Sequence, residues 1–424
     1  MLTICLLIFF VLLAIGCPIV ICMGFSSTVW LFFSDNIPAL VMAQKMFTAT
    51  DSFALMAVPF FMLAGQIMDR TEITSDIVEF ADSVVGHIRG GLAHTCELAG
   101  ILLAGISGSS NADASALGSL MVRALKKGGY EDGMACSIVA SASSLGPIIP
   151  PSIIMILYGN AAGLNIGKLF MGGLVPGVIM GIGYMVICYF YAKKHNIPVK
   201  KFQGFKHMGR SFIKAIWALL MPIIIIGGIL CGVVTTTEAG VLAVVYGICY
   251  GFIRKKLTFK TMIDSLRAAV ISSASPIAII SISSIFSYVM AREGVTASIA
   301  QYCQTNISSG FVLMLFVVAV CVFAGCFVDG TAVMLLLTPI FLPVAQAMGV
   351  NVQQFSIIFM IAIMSGGLTP PVGSILFIVT AIDNTPLIKV VKPIFPFICV
   401  VIAVMLLMMI VPGLTTWLPT LLGY

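Results

Sequence analysis

The sequence predicts an all-α polytopic membrane protein made of two inverted-topology repeats, each with a re-entrant helical hairpin and a broken transmembrane helix. Three observations carry that reading. Of the 424 residues, 60% are hydrophobic and 9% charged, against roughly 25% charged in a soluble globular domain. The apolar runs are continuous rather than alternating, which selects helices over a closed barrel, the other structure that satisfies every backbone hydrogen bond inside a bilayer. One constellation, a hairpin-length segment with a small polar centre followed by a Gly-Pro-rich interruption, occurs twice.

From the N-terminus, apolar runs near the ~20 residues needed to span lie at 2–23, 52–69, 168–191, 213–233, 237–253, 266–290 and 394–414. Two more, at 132–158 and 354–380, contain Gly-Pro breaks. The first run lacks a basic start, and LAIGC ending at Cys17 matches a lipoprotein cleavage site poorly, so 2–23 is read as a retained span. Segments 92–127 and 308–347 each have room for two half-depth helices and are read as re-entrant hairpins.

Loop charge orients these elements. The segment from Tyr191 to Lys214 carries Lys193, Lys194, Lys200, Lys201, Lys206, Arg210 and Lys214 and no acidic residue, which places it in the cytoplasm. Counting spans from there puts Arg123, Lys126 and Lys127 on the same side, together with Arg254, Lys255, Lys256, Lys260 and the N-terminus. The first hairpin then opens to the cytoplasm beside Lys126 and the second opens outward, before 354–380 returns the chain to Lys389 and Lys392. The formal charge of +6 therefore reports topology in a lipid bilayer, and no nucleic-acid partner is expected.

The repeated motif carries the chemistry. The first tip reads GISGSSNADASALGSLMV from Gly105 to Val122, and its break reads SASSLGPIIPPSIIMILYG from Ser141 to Gly159; the second pair reads GCFVDGTAVMLLLTPI from Gly325 and SGGLTPPVGSILFIV from Ser365. Proline donates no backbone hydrogen bond and glycine permits unwinding, so each break frees carbonyl oxygens. Such backbone is tolerated at membrane depth only within protein or beside a water-filled cavity. Unwound carbonyls and helix C-termini suit a hard cation such as Na+, whereas helix N-termini and serine hydroxyls suit a carboxylate. One substrate site between two cation sites follows. A simple kink explains one such break; a hairpin plus break occurring twice argues against it.

Asp113 and Asp329 lie in or just beyond the tips, where an ionisable side chain is costly without a function or partner, and Asp329 is the stronger candidate. Glu97 and Glu238 are read as interfacial residues paired with local basic groups, and Arg292 with Glu293 as a solvated pair in an external turn. The 12 cysteines, among them Cys136, Cys188, Cys231 and Cys249, form no CxxC pair and are read as small packing residues. A membrane enzyme would need a nucleophile with a base or clustered metal ligands; the four histidines, His87, His94, His195 and His207, have no metal spacing, and no catalytic residue is expected. A channel needs one ring-lined pore rather than two opposed hairpins.

At GISGSSNADASALGSLMV, SSLGPIIPPS, FVDGTAVMLLLTPI and GGLTPPVGS, and at DSFALMAVPFFMLAGQIMD near residue 51, the chain resembles the large membrane (M, or DctM-like) subunit of TRAP transporters over nearly its whole length. The resemblance implies a sodium-driven, elevator-type secondary transporter of a bacterial inner membrane. Residues 1–90 and 213–306 would be scaffold helices, 91–192 and 307–424 the transport units, and 193–212 the basic cytoplasmic loop. It implies two protein partners, a small membrane Q subunit and a periplasmic substrate-binding P protein; since the M-type sequence starts at once, Q would be a separate chain. For sodium it implies a first site of Ser107, Ser110, Asn111, Ser143, Ser144 and Gly146, and a second of Gly325, Thr331, Gly366, Gly367 and Thr369. For an organic acid it implies Ser107, Ser152 and Asp329, with Asp329 on a substrate hydroxyl or a cation. The tip GISGSSNADASALG resembles the sialic acid members more than the C4-dicarboxylate ones. A stand-alone sodium/dicarboxylate symporter of the related hairpin fold usually reads Ser-Asn-Thr at its tips, whereas here SSN precedes Ala112.

Overall fold

The structure, a computed structural model, describes residues 1–34, 37–71, 73–307 and 309–423. Every regular element among the described residues is helical, and eight helical stretches are long and apolar enough to cross a membrane.

The chain opens with α1 (Leu2–Ala14) and α2 (Ile19–Phe32), which pack on each other. The single span expected over 2–23 is thus two helices. Gly16 adopts a left-handed φ of +87°, and Pro18, without an N–H, cannot continue α1 and serves as the N-cap of α2. There follow α3 (Leu40–Thr50), a 3-10 turn at Phe53–Met56 running into α4 (Ala57–Arg70), and α5 (Ile73–Val85). The first hairpin is α6 (Gly91–Ser107) and α7 (Ser110–Lys127); the first broken helix is α8 (Asp132–Ser143) and α9 (Ile153–Ala162), with α10 (Ile166–Lys194) after it.

Next come α11 (Phe205–Leu230), α12 (Thr236–Ile253), α13 (Phe259–Arg292) and α14 (Val295–Asn306). The second hairpin, α15 (Gly310–Phe327) and α16 (Gly330–Ala347), leads to the second broken helix, α17 (Val352–Gly366) and α18 (Ser374–Ile382), then α19 (Ile388–Ile410) and α20 (Gly413–Leu421). The order hairpin, broken helix, long helix therefore occurs twice. The hairpin arms have 17 or 18 residues each, about 26 Å of helix, and both arms of the second are apolar enough to cross. They exceed the half-depth expected of them. α3 and α14 lie outside the apolar runs picked out in the sequence.

The halves interleave. α18 packs on α7 of the first hairpin, and α9 packs on α16 of the second, so each broken helix rests its second piece on the other half. Small residues permit the close approach: a Cβ on Gly133 of α8 would lie 2.0 Å from the Lys389 carbonyl oxygen at the start of α19. At the basic ends, Lys126 bridges Asp383 (2.7 Å) and Asp132 (3.1 Å), and Lys389 reaches Asp132 at 3.1 Å. The Lys126 ammonium, with Arg123 beyond it, holds the Asp383 carboxyl below the usual carboxylate range. The acidic face of α5 is tied to the basic segments read as cytoplasmic, through Asp76 with Arg254, Glu79 with Lys214 and Asp82 with Lys200.

Candidate functional site

The first tip is set by Gly108. Its φ of +60° ends α6, and a Cβ there would stand 2.5 Å from the Pro151 carbonyl oxygen. The tip thus docks directly on the first break, with the Ile153 N–H donating to the Gly108 carbonyl at 3.4 Å. Ser107 donates to Asp113 Oδ1 at 2.6 Å. Asp113 is 2% exposed, and its Oδ2 has no hydrogen-bond partner. Gly146 of the break leaves the space beside that oxygen, since a Cβ there would lie 2.5 Å from Oδ2. A buried carboxylate oxygen without a donor is strongly disfavoured unless a cation or proton completes it. Carboxylate, hydroxyl and backbone oxygens are the ligand chemistry of a hard cation, so of the first set Ser107 and Gly146 fit Na+, together with Asp113, which is not among the residues expected.

The serines of the first break are otherwise engaged. Ser143 donates to the Val139 carbonyl (2.7 Å), and Ser144 to that of Ser141 (2.7 Å) with the Tyr184 hydroxyl at 3.2 Å. Ser152 donates to the Pro147 carbonyl (2.6 Å) and caps α9 by accepting from the Met155 N–H (3.2 Å). These three side chains are buried and do not line the cavity described below.

The second tip and break meet backbone to backbone. A Cβ on Gly366 would lie 2.3 Å from the Gly325 carbonyl carbon, and one on Gly325 would lie 2.7 Å from the Ile363 carbonyl oxygen. The Gly373 N–H donates to the Cys326 carbonyl (3.4 Å), and the Ile375 N–H to that of Gly367 (3.2 Å). Thr369 donates to the Ser365 carbonyl at 2.8 Å. Asp329 is exposed and caps α16, accepting from the Thr331 N–H at 3.0 Å. Both breaks carry a cis peptide bond, at Pro150–Pro151 and Pro370–Pro371.

A cavity of about 510 Å³ joins the two units. Of the residues expected in the sites, Ser107, Ser110, Asn111, Asp329, Thr331 and Gly367 line it; Ser143, Ser144, Gly146, Ser152, Gly325, Gly366 and Thr369 do not. Four helices present their first turns to it: α7 at Ser110–Ala112, α9 at Ile153 and Ile154, α16 at Gly330 and Thr331, and α18 at Ser374 and Ile375. The C-terminal ends of α6, at Ser107, and α17, at Met364, reach it too. The rest of the wall comes from α4 (Met62, Gly65, Gln66, Asp69) and α13 (Ser272, Ser275, Pro276). Sequence reading missed these, although polar Gln66 and Asp69 stand at helical spacing within an apolar run.

The remaining acidic candidates fall elsewhere. Glu97 is fully buried, accepts from Ser141 Oγ at 2.6 Å and leaves Oε2 unpartnered; the interfacial pairing expected of it is replaced by a core position between α6 and α8. Glu238 forms a capping box with Thr235 rather than an ion pair, and Glu293 accepts from Trp30 Nε1 at 2.8 Å instead of pairing with Arg292.

The chain is similar to known proteins along nearly its whole length. The sialic acid TRAP transporter permease protein SiaT of Haemophilus influenzae is 35% identical over 99% of this chain and 68% of its own. The large permease protein SiaM of the sialic acid TRAP transporter of Vibrio cholerae is 34% identical over 97% of both chains. The C4-dicarboxylate TRAP transporter large permease protein DctM of Pseudomonas aeruginosa is also 34% identical, over 93% of this chain and 92% of its own. In fold, the crystal structure of the YdaH transporter of Alcanivorax borkumensis superposes with a TM-score of 0.67 at 13% identity, over 90% of this chain and 89% of that one. The model of the DctM component of tripartite ATP-independent periplasmic transporters matches residues 6–414, and the chain belongs to that family of multi-pass membrane permeases.

Proposed function

We propose that this chain is the permease of a sodium-driven, binding-protein-dependent importer that carries an organic acid, N-acetylneuraminate (sialic acid) first among them, across a bacterial inner membrane. The observation that carries the reading is the cavity between the two tips, onto which four helix N-termini and two helix C-termini converge. The N-termini supply partial positive charge for a carboxylate, and the C-termini with unwound carbonyls supply oxygens for cations. The Asp113 oxygen in the first unit and the Gly325–Gly366 contact in the second are the centres of two sodium sites flanking the substrate. In this reading α6–α10 and α15–α20 move together as an elevator against a scaffold that includes α4 and α13, the two halves being inverted repeats with the N-terminus in the cytoplasm. A small Q subunit and a periplasmic P protein complete the transporter. The tip GISGSSNADASALG favours sialic acid over a C4-dicarboxylate, although named relatives of near-equal identity include both kinds.

The test is uptake of labelled sialic acid into proteoliposomes holding the permease and its Q partner, with and without P protein and an inward Na+ gradient. Uptake that requires both is expected. Uptake of a dicarboxylate but not sialic acid would overturn the substrate, and uptake without P protein would favour a stand-alone symporter.

A further inference from the structure

The cavity has a second wall whose chemistry differs from that of the tips. α4 presents Gln66 and Asp69 to it, three residues apart and so on one helix face, and α13 presents Ser272 and Ser275. Asp69 forms no ion pair or hydrogen bond with the described residues. Its neighbour Arg70 is turned to Asp264, 3.9 Å away, and no Lys or Arg lines the cavity among the described residues. A substrate carboxylate therefore finds its favourable ground at the N-termini of α7, α9 and α18, away from the Asp329 carboxylate that caps α16. Whatever reaches α4 meets a carboxylate, which only accepts hydrogen bonds, beside a carboxamide, which both donates and accepts. Hydroxyl and amide N–H groups satisfy that wall. A second carboxylate would be set against Asp69 with no Lys or Arg side chain at that wall to offset the repulsion.

We propose that Asp69, assisted by Gln66, determines substrate class: it admits a mono-acid whose far end carries hydroxyl or amide donors and rejects a dicarboxylate. The inference rests on the organic-acid reading above and narrows it. A polyhydroxylated sugar acid satisfies both walls, and a four-carbon dicarboxylate satisfies one. The discrimination belongs to the permease itself, separate from any made by a soluble binding protein, so it is read without that protein.

The experiment is calorimetric titration of the purified permease with its small membrane partner, in saturating Na+, with N-acetylneuraminate and with succinate. Wild type should prefer the sugar acid. Asp69→Asn and Asp69→Ser should each shift the ratio of the two affinities toward succinate by roughly tenfold or more, the scale of a removed like-charge contact. Gln66→Ala should weaken the sugar acid without strengthening succinate. Two charge-removing variants that move the ratio together exclude a folding defect, which would lower both affinities alike. An unchanged ratio in well-folded Asp69 variants, or a wild type that prefers succinate, overturns the proposal while leaving the organic-acid reading intact. Binding of neither acid to wild type overturns both.

Discussion

The two hairpin-and-break units share an order of elements but not a chemistry. In the first, the tip docks on its break at Gly108, and a buried carboxylate with one unpartnered oxygen, Asp113, sits at the junction. In the second, the carboxylate at the tip, Asp329, is exposed and serves as a helix cap, and the junction is made by glycine backbone at Gly325 and Gly366. In the function proposed above, one pattern supplies two kinds of cation site, one resting on a side chain and one on the main chain. The first should be sensitive to chemistry at conserved shape, and the second to shape alone.

The largest effect is expected where that contrast is sharpest. Gly366→Ala places a methyl 2.3 Å from the Gly325 backbone and cannot be relieved by a side-chain rotation, so the second tip must move; overpacking of this kind costs about 1–3 kcal/mol. Na+-driven uptake should be nearly lost and the thermal midpoint lowered, whereas Thr369→Val at the same break should keep the fold. Survival of uptake in Gly366→Ala would break the claim that the second site is built by backbone contact.

Asp113→Asn tests the other side. Removing a buried, incompletely paired charge should raise the thermal midpoint in Na+-free buffer, while the extra stabilisation that Na+ gives the wild type by binding the folded state should shrink. Asp329→Asn, at an exposed cap where asparagine substitutes well, should leave both midpoints nearly unchanged. Equal responses of the two variants would erase the distinction between the units.

Smaller still is Ser152→Ala. Its hydroxyl is spent on the α9 cap and the Pro147 carbonyl, so the variant should lose about 1 kcal/mol of stability, a typical cap, with substrate affinity unaltered; a loss of affinity at unchanged stability would return Ser152 to the substrate site. The smallest effect concerns pH. Because Lys126 holds the folded pKa of Asp383 below its unfolded value, the contact stabilises fully above the unfolded carboxylate pKa of about 3.9 and is lost only as pH falls through the lower folded value. Between pH 7 and 5 the melting of wild type and Asp383→Asn should run parallel, converging at more acid pH, and the difference should diminish with salt.

Much of this architecture was legible in the sequence. The run lengths marked most of the long helices, and the duplicated tip-and-break motif marked the two tips that form part of the cavity wall, because glycine, proline and intramembrane aspartate are read against strong physical constraints. Three things were not legible. The turn at Gly16–Pro18 splits a run whose hydropathy is continuous, so a reading by run length passes over it although the glycine and proline that make it stand in the sequence. The serines of the first break carry hydroxyls that satisfy local carbonyls, a choice decided by backbone geometry rather than residue type. Gln66 and Asp69 stand out as polar residues at helical spacing, but that their face meets the cavity follows from α4 packing beside α9 and α13, which the local sequence does not show.

The most direct measurement of the central claim is equilibrium binding of radiolabelled Na+ to the purified permease, comparing wild type with Asp113→Asn. The account predicts that Asp113→Asn loses one of two bound ions and retains the other, held by the backbone of the second unit. Identical stoichiometry and affinity in the two proteins would contradict it.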